Sequence, residues 1–240
     1  MKPTYFLMIP ALIFFCLLPC RLQAGEPDYA LLQKKMTAEQ IVGRGITDQR
    51  LLTAFEKVKR HLFVKPSLRA HAYDDSPLDI GEGQSISEPY IVAVMTAAVA
   101  PTPGKKVLEI GTGSGYHAAI LAELVKNVYT IELIEKLGKD AQTLLDSLGY
   151  KNIHFKIGDG YKGWEQYAPY DGIIVTCSED HIPEPLIKQL AVGGRLIIPV
   201  RYSSKVQELI MIEKEEDGEL KKTYLIPAQF VPLIRGNEER

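Results

Sequence analysis

Val107-Leu108-Glu109-Ile110-Gly111-Thr112-Gly113-Ser114-Gly115-Tyr116 is the stretch on which the fold turns. Four residues of strand character run into three alternating glycines, and a helical pattern over 116–125 follows at once. A strand that ends in such a turn and opens a helix aims backbone N–H groups and a positive helix end at one point in space. Taken alone, the turn establishes only a tight reversal. The residues around it decide what it holds.

Downstream the pattern alternates. A strand over 128–131 precedes a helix over 134–148, then come a strand over 153–157, an apolar strand over 172–175, a helix over 183–190 and a strand over 195–200. Strands alternating with helices imply a parallel sheet covered on both faces, and the wholly apolar 172–175 belongs at its centre. Two further strand-like runs, 207–213 and 222–230, flank Asp217-Gly218 and read as a terminal hairpin. Upstream, Asp28 caps a helix to about Val42 that Gly43 and Gly45 end. A second helix covers 47–58, with Leu51, Leu52 and Phe55 on one face. The irregular 61–89 reads as loops and short turns, and a buried helix over 90–99 stops before Pro101 and Pro103. The fold class is therefore α/β: a Rossmann-like, mostly parallel, doubly wound sheet with a C-terminal antiparallel hairpin and N-terminal helices.

The glycine spacing narrows the ligand. A dinucleotide fingerprint has Gly-x-Gly-x-x-Gly. Here Tyr116 fills the third-glycine position and glycine falls one place earlier, at Gly115. Glu109 lies in the strand, two residues before Gly111, where a pyrophosphate gains nothing from a carboxylate. A cationic ligand carrying an amino group and a sulfonium does gain from it. Glu132, 21 positions after Gly111, can accept both hydroxyls of a ribose. Asp159, in Gly158-Asp159-Gly160 after the third strand, can orient an adenine. Three acids at three successive strand ends converge on the crevice where open α/β sheets bind ligands. No phosphate-cradling lysine follows the turn, which excludes a Walker-type site. The ligand set points to S-adenosyl-L-methionine and the fold to a class I methyltransferase, with no metal.

Bulk properties set the bounds. The chain has 240 residues, 46% hydrophobic and 24% charged, with a net charge of -2. That permits a substantial core and argues against a nucleic-acid or anionic-membrane binder. Of three cysteines only Cys177 lies outside the N-terminal apolar stretch, so no internal disulfide framework exists and Cys177 reads as a buried strand-end residue. Residues 1–24 carry Lys2, an uncharged apolar run and then Arg21-Leu22-Gln23-Ala24, the arrangement of a secretory signal peptide. The expected organisation is a leader over 1–24 and a single domain over 25–240, with a helical and substrate-loop region over 25–100 and the cofactor-binding sheet over 101–240. A functional leader implies a periplasmic or exported protein. Supply of the cofactor from the cytosol favours a cytoplasmic one.

Pro77-Leu78-Asp79-Ile80-Gly81-Glu82-Gly83-Gln84-Ser85-Ile86-Ser87-Glu88-Pro89 says, on composition alone, only that a polar loop precedes a helix, with Ser87 or Glu88 as its cap. The segment nevertheless resembles the signature P-L-x-I-G-x-G-Q-T-I-S-x-P of the protein-L-isoaspartate O-methyltransferases. Val107 to Tyr116, Gly158-Asp159-Gly160, Tyr170 to Thr176, Gly193 to Val200 and Phe230-Val231-Pro232-Leu233 resemble further motifs of that family, in order. Ser85 stands where threonine is usual, Glu88 where a neutral residue is common, and Cys177 where alanine is frequent. The leader is the one large departure.

The resemblance implies transfer of a methyl group from S-adenosyl-L-methionine to the free carboxyl of L-isoaspartyl residues, with D-aspartyl residues as a further substrate, in damaged proteins and peptides. It assigns Ser87 to the substrate carboxylate and the loop Gln84, Ser85, Ile86 to the cofactor, beside Glu109, Gly111, Gly113, Gly115, Glu132, Asp159 and Gly160. It further implies a monomer that takes isoaspartyl proteins as partners, without nucleic acid and without stable membrane association once the leader is removed. The rival readings are a methyltransferase of the same fold acting on another carboxylate or on RNA, an NAD-dependent oxidoreductase, and an exported binding protein without activity.

Overall fold

The computed structural model describes residues 27–203 and 206–236, so the leader-like 1–24 lies outside the described residues. Helix α1 (Tyr29–Lys35) is capped by Asp28, whose carboxylate accepts from the Leu31 N–H at 3.0 Å. It runs on through a π-helical turn, Met36–Ile41, and a 3-10 turn, Val42–Arg44, before Gly45 reverses the chain at φ 92°. Helix α2 (Gln49–Lys57) starts at Asp48, which caps it, and buries Leu51, Leu52, Ala54 and Phe55. The segment expected to be irregular contains two 3-10 turns, Arg60–Phe63 and Pro66–His71, and an antiparallel ribbon. The ribbon strands are β1 (Leu78–Gly81) and β2 (Gln84–Ile86), joined through Gly81, Glu82 and Gly83, all at positive φ. Strands of four and three residues are too short to show a period-2 pattern, so the ribbon was not legible as one.

Helix α3 (Pro89–Ala98) leads to β3 (Lys106–Ile110), α4 (Tyr116–Ala122), β4 (Asn127–Glu132), α5 (Glu135–Ser147) and β5 (Ile153–Ile157). Then follow β6 (Tyr170–Val175), α6 (Glu184–Gln189), β7 (Leu190–Arg201), β8 (Gln207–Lys214) and β9 (Leu220–Pro227). The seven-stranded sheet has the order β5-β4-β3-β6-β7-β8-β9. The strands β5 to β7 are parallel, and β7-β8-β9 close it antiparallel as the expected hairpin. The apolar β6 sits in the middle, as expected.

Two cores cover the sheet. Leu108, Ile110, Ile173, Val175, Leu196 and Ile198 face one way with Tyr170 and Leu186. Val107, Ile174, Ile197 and Leu209 face the other way, under α2, α3 and α4. Helix α4 lies close to the sheet because Ala118 and Ala119 stand on it where larger side chains would hold it off. Tyr116 fastens the N-terminal helices to the sheet. It is 1% exposed, with the rings of Phe63 and Phe55 edge-on at 5.5 and 6.3 Å. The chain leaves β3 toward β4 on one side and later returns to β6 on the other, so the switch point of the sheet is the carboxyl end of β3.

Candidate functional site

A cleft opens at that switch point, where open α/β sheets bind ligands. Its lining brings together Gln84, Ser85, Ile86, Ser87, Glu109, Gly111, Gly113, Glu132 and Gly160, from the ribbon and from three strand ends. Asp159 and Gly115 are not in that lining among the described residues. Asp159 instead caps the 3-10 turn that follows it, accepting from Tyr161 N–H at 3.0 Å. Gly115 does the close packing that the absent third glycine would do: at φ 84°, a Cβ there would lie 2.8 Å from Leu145 of α5.

The floor of the cleft needs bare backbone. A Cβ on Gly111, at φ 94°, would lie 2.3 Å from Thr176 Oγ1, and one on Gly160 would lie 2.4 Å from Ile110 Cγ2. Thr176 Oγ1 in turn shares its one proton between the carbonyls of Ile110 and Gly111, at 2.9 and 2.7 Å, fixing the start of the turn.

Glu109 is not a solvent-facing strand end. Alternation along β3 puts it on the face of Val107, beneath α4, at 0% exposure. Its Oε2 accepts from Thr130 Oγ1 at 2.6 Å, and Thr130 Oγ1 lies 2.6 Å from Thr112 Oγ1. Its Oε1 has no hydrogen-bond partner among the described residues. Burial, with Glu132 adding to it, pushes the Glu109 carboxyl up to about 8. A buried acceptor without a partner, at the wall of a cleft, fits a ligand ammonium and fits no phosphate. Glu132 is 7% exposed; its two oxygens accept from the N–H groups of Gly113 and Ile134, each at 2.9 Å. It thereby ties the glycine turn to the end of β4 while still lining the cleft.

The substrate loop is placed by packing. Ile86 is buried, Gln84 and Ser87 half-buried and Ser85 exposed. Neither expected cap acts on α3: Glu88 occupies the cap position without a side-chain bond, and Pro89 begins the helix. The Ser87 hydroxyl bonds no other described residue and lines the cleft, while its carbonyl accepts from Arg60 at 2.7 Å.

Several wall residues carried no site role in the sequence reading. His117 is 7% exposed and its Nε2 lies 2.9 Å from Thr96 Oγ1. That hydroxyl donates to the Val92 carbonyl at 2.7 Å, so Nε2 carries the proton and Nδ1 is a bare acceptor. Burial depresses this imidazole to about 3. Cys177 also lines the cleft, and desolvation with Glu132 and Glu179 nearby pushes its thiol up, away from nucleophile behaviour. The tail Val231 to Ile234 closes one side, pinned where Ser178 N–H donates to Val231 at 2.8 Å and Leu233 N–H to Ser178 at 2.9 Å. Thr130 was findable: it stands opposite Glu109 in the parallel register of β3 and β4. Nothing in the sequence sets Arg60 apart from its basic neighbours.

These features agree with the comparisons. Residues 32–238 match the family model described as protein-L-isoaspartate(D-aspartate) O-methyltransferase. A protein-L-isoaspartate O-methyltransferase of Picosynechococcus sp. is 52% identical over 209 residues, 87% of this chain and 92% of that one. One of Nitrosospira multiformis is 47% identical over 230 residues, covering 95% and 96%. A solved protein-L-isoaspartate O-methyltransferase superposes with a TM-score of 0.77 at 30% identity, covering 85% of this chain and 66% of that one. A second, from Plasmodium falciparum and in complex with S-adenosyl-L-homocysteine, shares the fold with a TM-score of 0.74 at 24% identity over 88% of this chain and all of that one. With the signature loop at one lip of the cleft and the glycine turn at its floor, the chain belongs to the protein-L-isoaspartate(D-aspartate) O-methyltransferase family.

Proposed function

We propose that this chain is a protein repair enzyme, an S-adenosyl-L-methionine-dependent carboxyl O-methyltransferase acting on L-isoaspartyl residues of damaged proteins and peptides. The observation that carries this reading is the meeting, in one cleft, of a buried partnerless carboxylate oxygen on Glu109 and a free hydroxyl on Ser87. The first suits the ammonium of the donor and the second the carboxylate of the acceptor. The donor supplies a methyl group already activated on a sulfonium.

The rest is alignment. A carboxylate is ionised at neutral pH, so the site needs no general base. Its oxygen bonds to the methyl carbon as the carbon–sulfur bond breaks, with the electron pair going to sulfur. Ser87 fixes the attacking carboxylate, Gln84 to Ile86 screen the cleft from water, and Glu109 and Glu132 hold the nucleoside. The nitrogen of the following peptide bond can then attack the ester carbon and expel methanol, closing a succinimide, which water reopens to aspartate or back to isoaspartate. The test is methylation of an isoaspartyl peptide beside its normal aspartyl counterpart; equal rates would sink the reading.

The finer points extend the same reading. D-aspartyl residues, a monomeric state, and the lack of nucleic-acid or stable membrane partners follow the family and the charge of -2. No helix among the described residues is long and apolar enough to cross a membrane. Export rests on the leader-like 1–24, and cell fractionation with sequencing of the mature N-terminus tests it.

A further inference from the structure

Arg60 begins the 3-10 turn after α2, and it is 0% exposed. Its Nε donates to the Ala72 carbonyl and one Nη to the Ser87 carbonyl, both at 2.7 Å. The guanidinium carbon lies 4.8 Å from the centre of the Tyr116 ring. The other Nη has no hydrogen-bond partner among the described residues. Among the described residues no carboxylate forms an ion pair with this guanidinium; burial disfavours its charge, and Tyr116 and then Glu88, one residue past Ser87, offset that only in part. An arginine remains protonated in a protein, and a buried cation without an anion is costly to fold around. Two carbonyls and a ring face compensate it only in part. The cation is set directly behind Ser87 and Tyr116, two residues of the cleft wall.

We propose that Arg60 is a positioning residue that holds Ser87 in place and supplies the countercharge for the substrate carboxylate, so that the site prefers the ionised acid over its neutral derivatives. The inference rests on reading Ser87 as the anchor of that carboxylate. Methylation removes the negative charge, so the attraction ends with the reaction and the ester is released. A field that favours the anionic ground state acts chiefly on KM, because the charge is already being lost in the transition state.

The experiment uses the full chain saturated with S-adenosyl-L-homocysteine. Binding of an isoaspartyl peptide is compared with that of the same peptide bearing a neutral carboxamide in place of the carboxylate. The wild type should bind the acid tighter by on the order of tenfold or more. Arg60→Gln, which keeps a donor and loses the charge, should bring the two affinities together, raising KM more than it lowers kcat. Arg60→Lys should retain the preference. A purely structural Arg60 would weaken both peptides alike in Arg60→Gln and leave their ratio as in the wild type, which overturns the proposal. Equal binding of acid and amide by the wild type overturns it without any variant. That result, alongside normal methylation, leaves the substrate reading standing; no methylation of the isoaspartyl peptide overturns both.

Discussion

Glu109 and Thr130 stand side by side on β3 and β4, and the threonine hydroxyl donates to only one of the two carboxylate oxygens, at 2.6 Å. The other is buried without a hydrogen-bond partner among the described residues. That asymmetry is what a bound cation would complete, and it links cofactor binding to pH. With its pKa near 8, Glu109 is mostly protonated in the free protein at neutral pH. An ammonium must then displace a proton. Affinity for S-adenosyl-L-homocysteine should rise with pH toward 8 and flatten above it, by up to about tenfold per unit. Calorimetry in buffers of different ionisation enthalpy should record proton release near pH 7. In Glu109→Gln both the release and the slope should vanish.

The same group sets an opposite trend in the stability of the free protein. Its folded pKa, about 8, lies above the ordinary 4.5, so the folded state holds the extra proton between those values. Stability therefore falls as pH rises through that window, by up to about 1.4 kcal/mol per unit. His117 works the other way. Its folded pKa, about 3, lies below 6.5, so the unfolded state binds the extra proton and stability rises with pH between them. The two trends oppose each other between 4.5 and 6.5, and Glu109 alone acts from 6.5 to 8. Thermal melts of the free wild type minus those of Glu109→Gln should show the loss in that upper window. A variant no more stable than the wild type at pH 8 would count against the buried-acid assignment.

Glycines in the left-handed region are separable by what surrounds them. Gly111 at φ 94° and Gly149 at φ 88° are equally unfavourable for alanine on backbone grounds. Around Gly149 a Cβ meets nothing within 4 Å, whereas at Gly111 it would lie 2.3 Å from Thr176 Oγ1, which is bonded to the turn. Gly149→Ala should cost about 1 kcal/mol and leave cofactor affinity alone. Gly111→Ala should cost more and weaken S-adenosyl-L-homocysteine by at least about tenfold, because the turn itself must shift. Equal effects of the two would mean that the close approach to Thr176 is unimportant.

The parallel sheet, its central strand, the hairpin and the convergence of Glu109 with Glu132 were all legible, because alternation, apolar runs and strand-end acids are local signals. What was hidden depends on tertiary contact. Asp159 has the position of a ligand-binding acid, yet its carboxylate closes its own 3-10 turn. Gly115 looked like a misplaced fingerprint glycine, and its reason is Leu145, 30 positions on. His117 reads as one more residue of a helix start, and only the Thr96 hydroxyl reveals its tautomer. Ser87 was named through the family signature; the loop's composition alone suggested a helix cap, a role that neither Ser87 nor Glu88 performs.

Glu132 does two jobs, and substitution should show both. Its oxygens each take one backbone N–H, from Gly113 and Ile134, and together they clamp the glycine turn against β4. An acid that only held a ribose would lower cofactor affinity without touching the free protein. Glu132→Ala leaves two backbone donors unpaired at the cleft, each costing about 1 kcal/mol or more, so the free protein should melt earlier as well. Glu132→Gln keeps an acceptor for one of them and should fall between. Cofactor affinity should drop by about tenfold or more in Glu132→Ala, measured by calorimetry. Ser87→Ala is the counterpart: its hydroxyl bonds no described residue, so its loss should leave melting and cofactor affinity near wild type. Turnover on an isoaspartyl peptide should fall by about tenfold to a hundredfold, the worth of one hydrogen bond to a charged group. Undiminished turnover in Ser87→Ala would remove that side chain from the reaction. An unchanged melting point in Glu132→Ala would reduce Glu132 to a ligand contact alone.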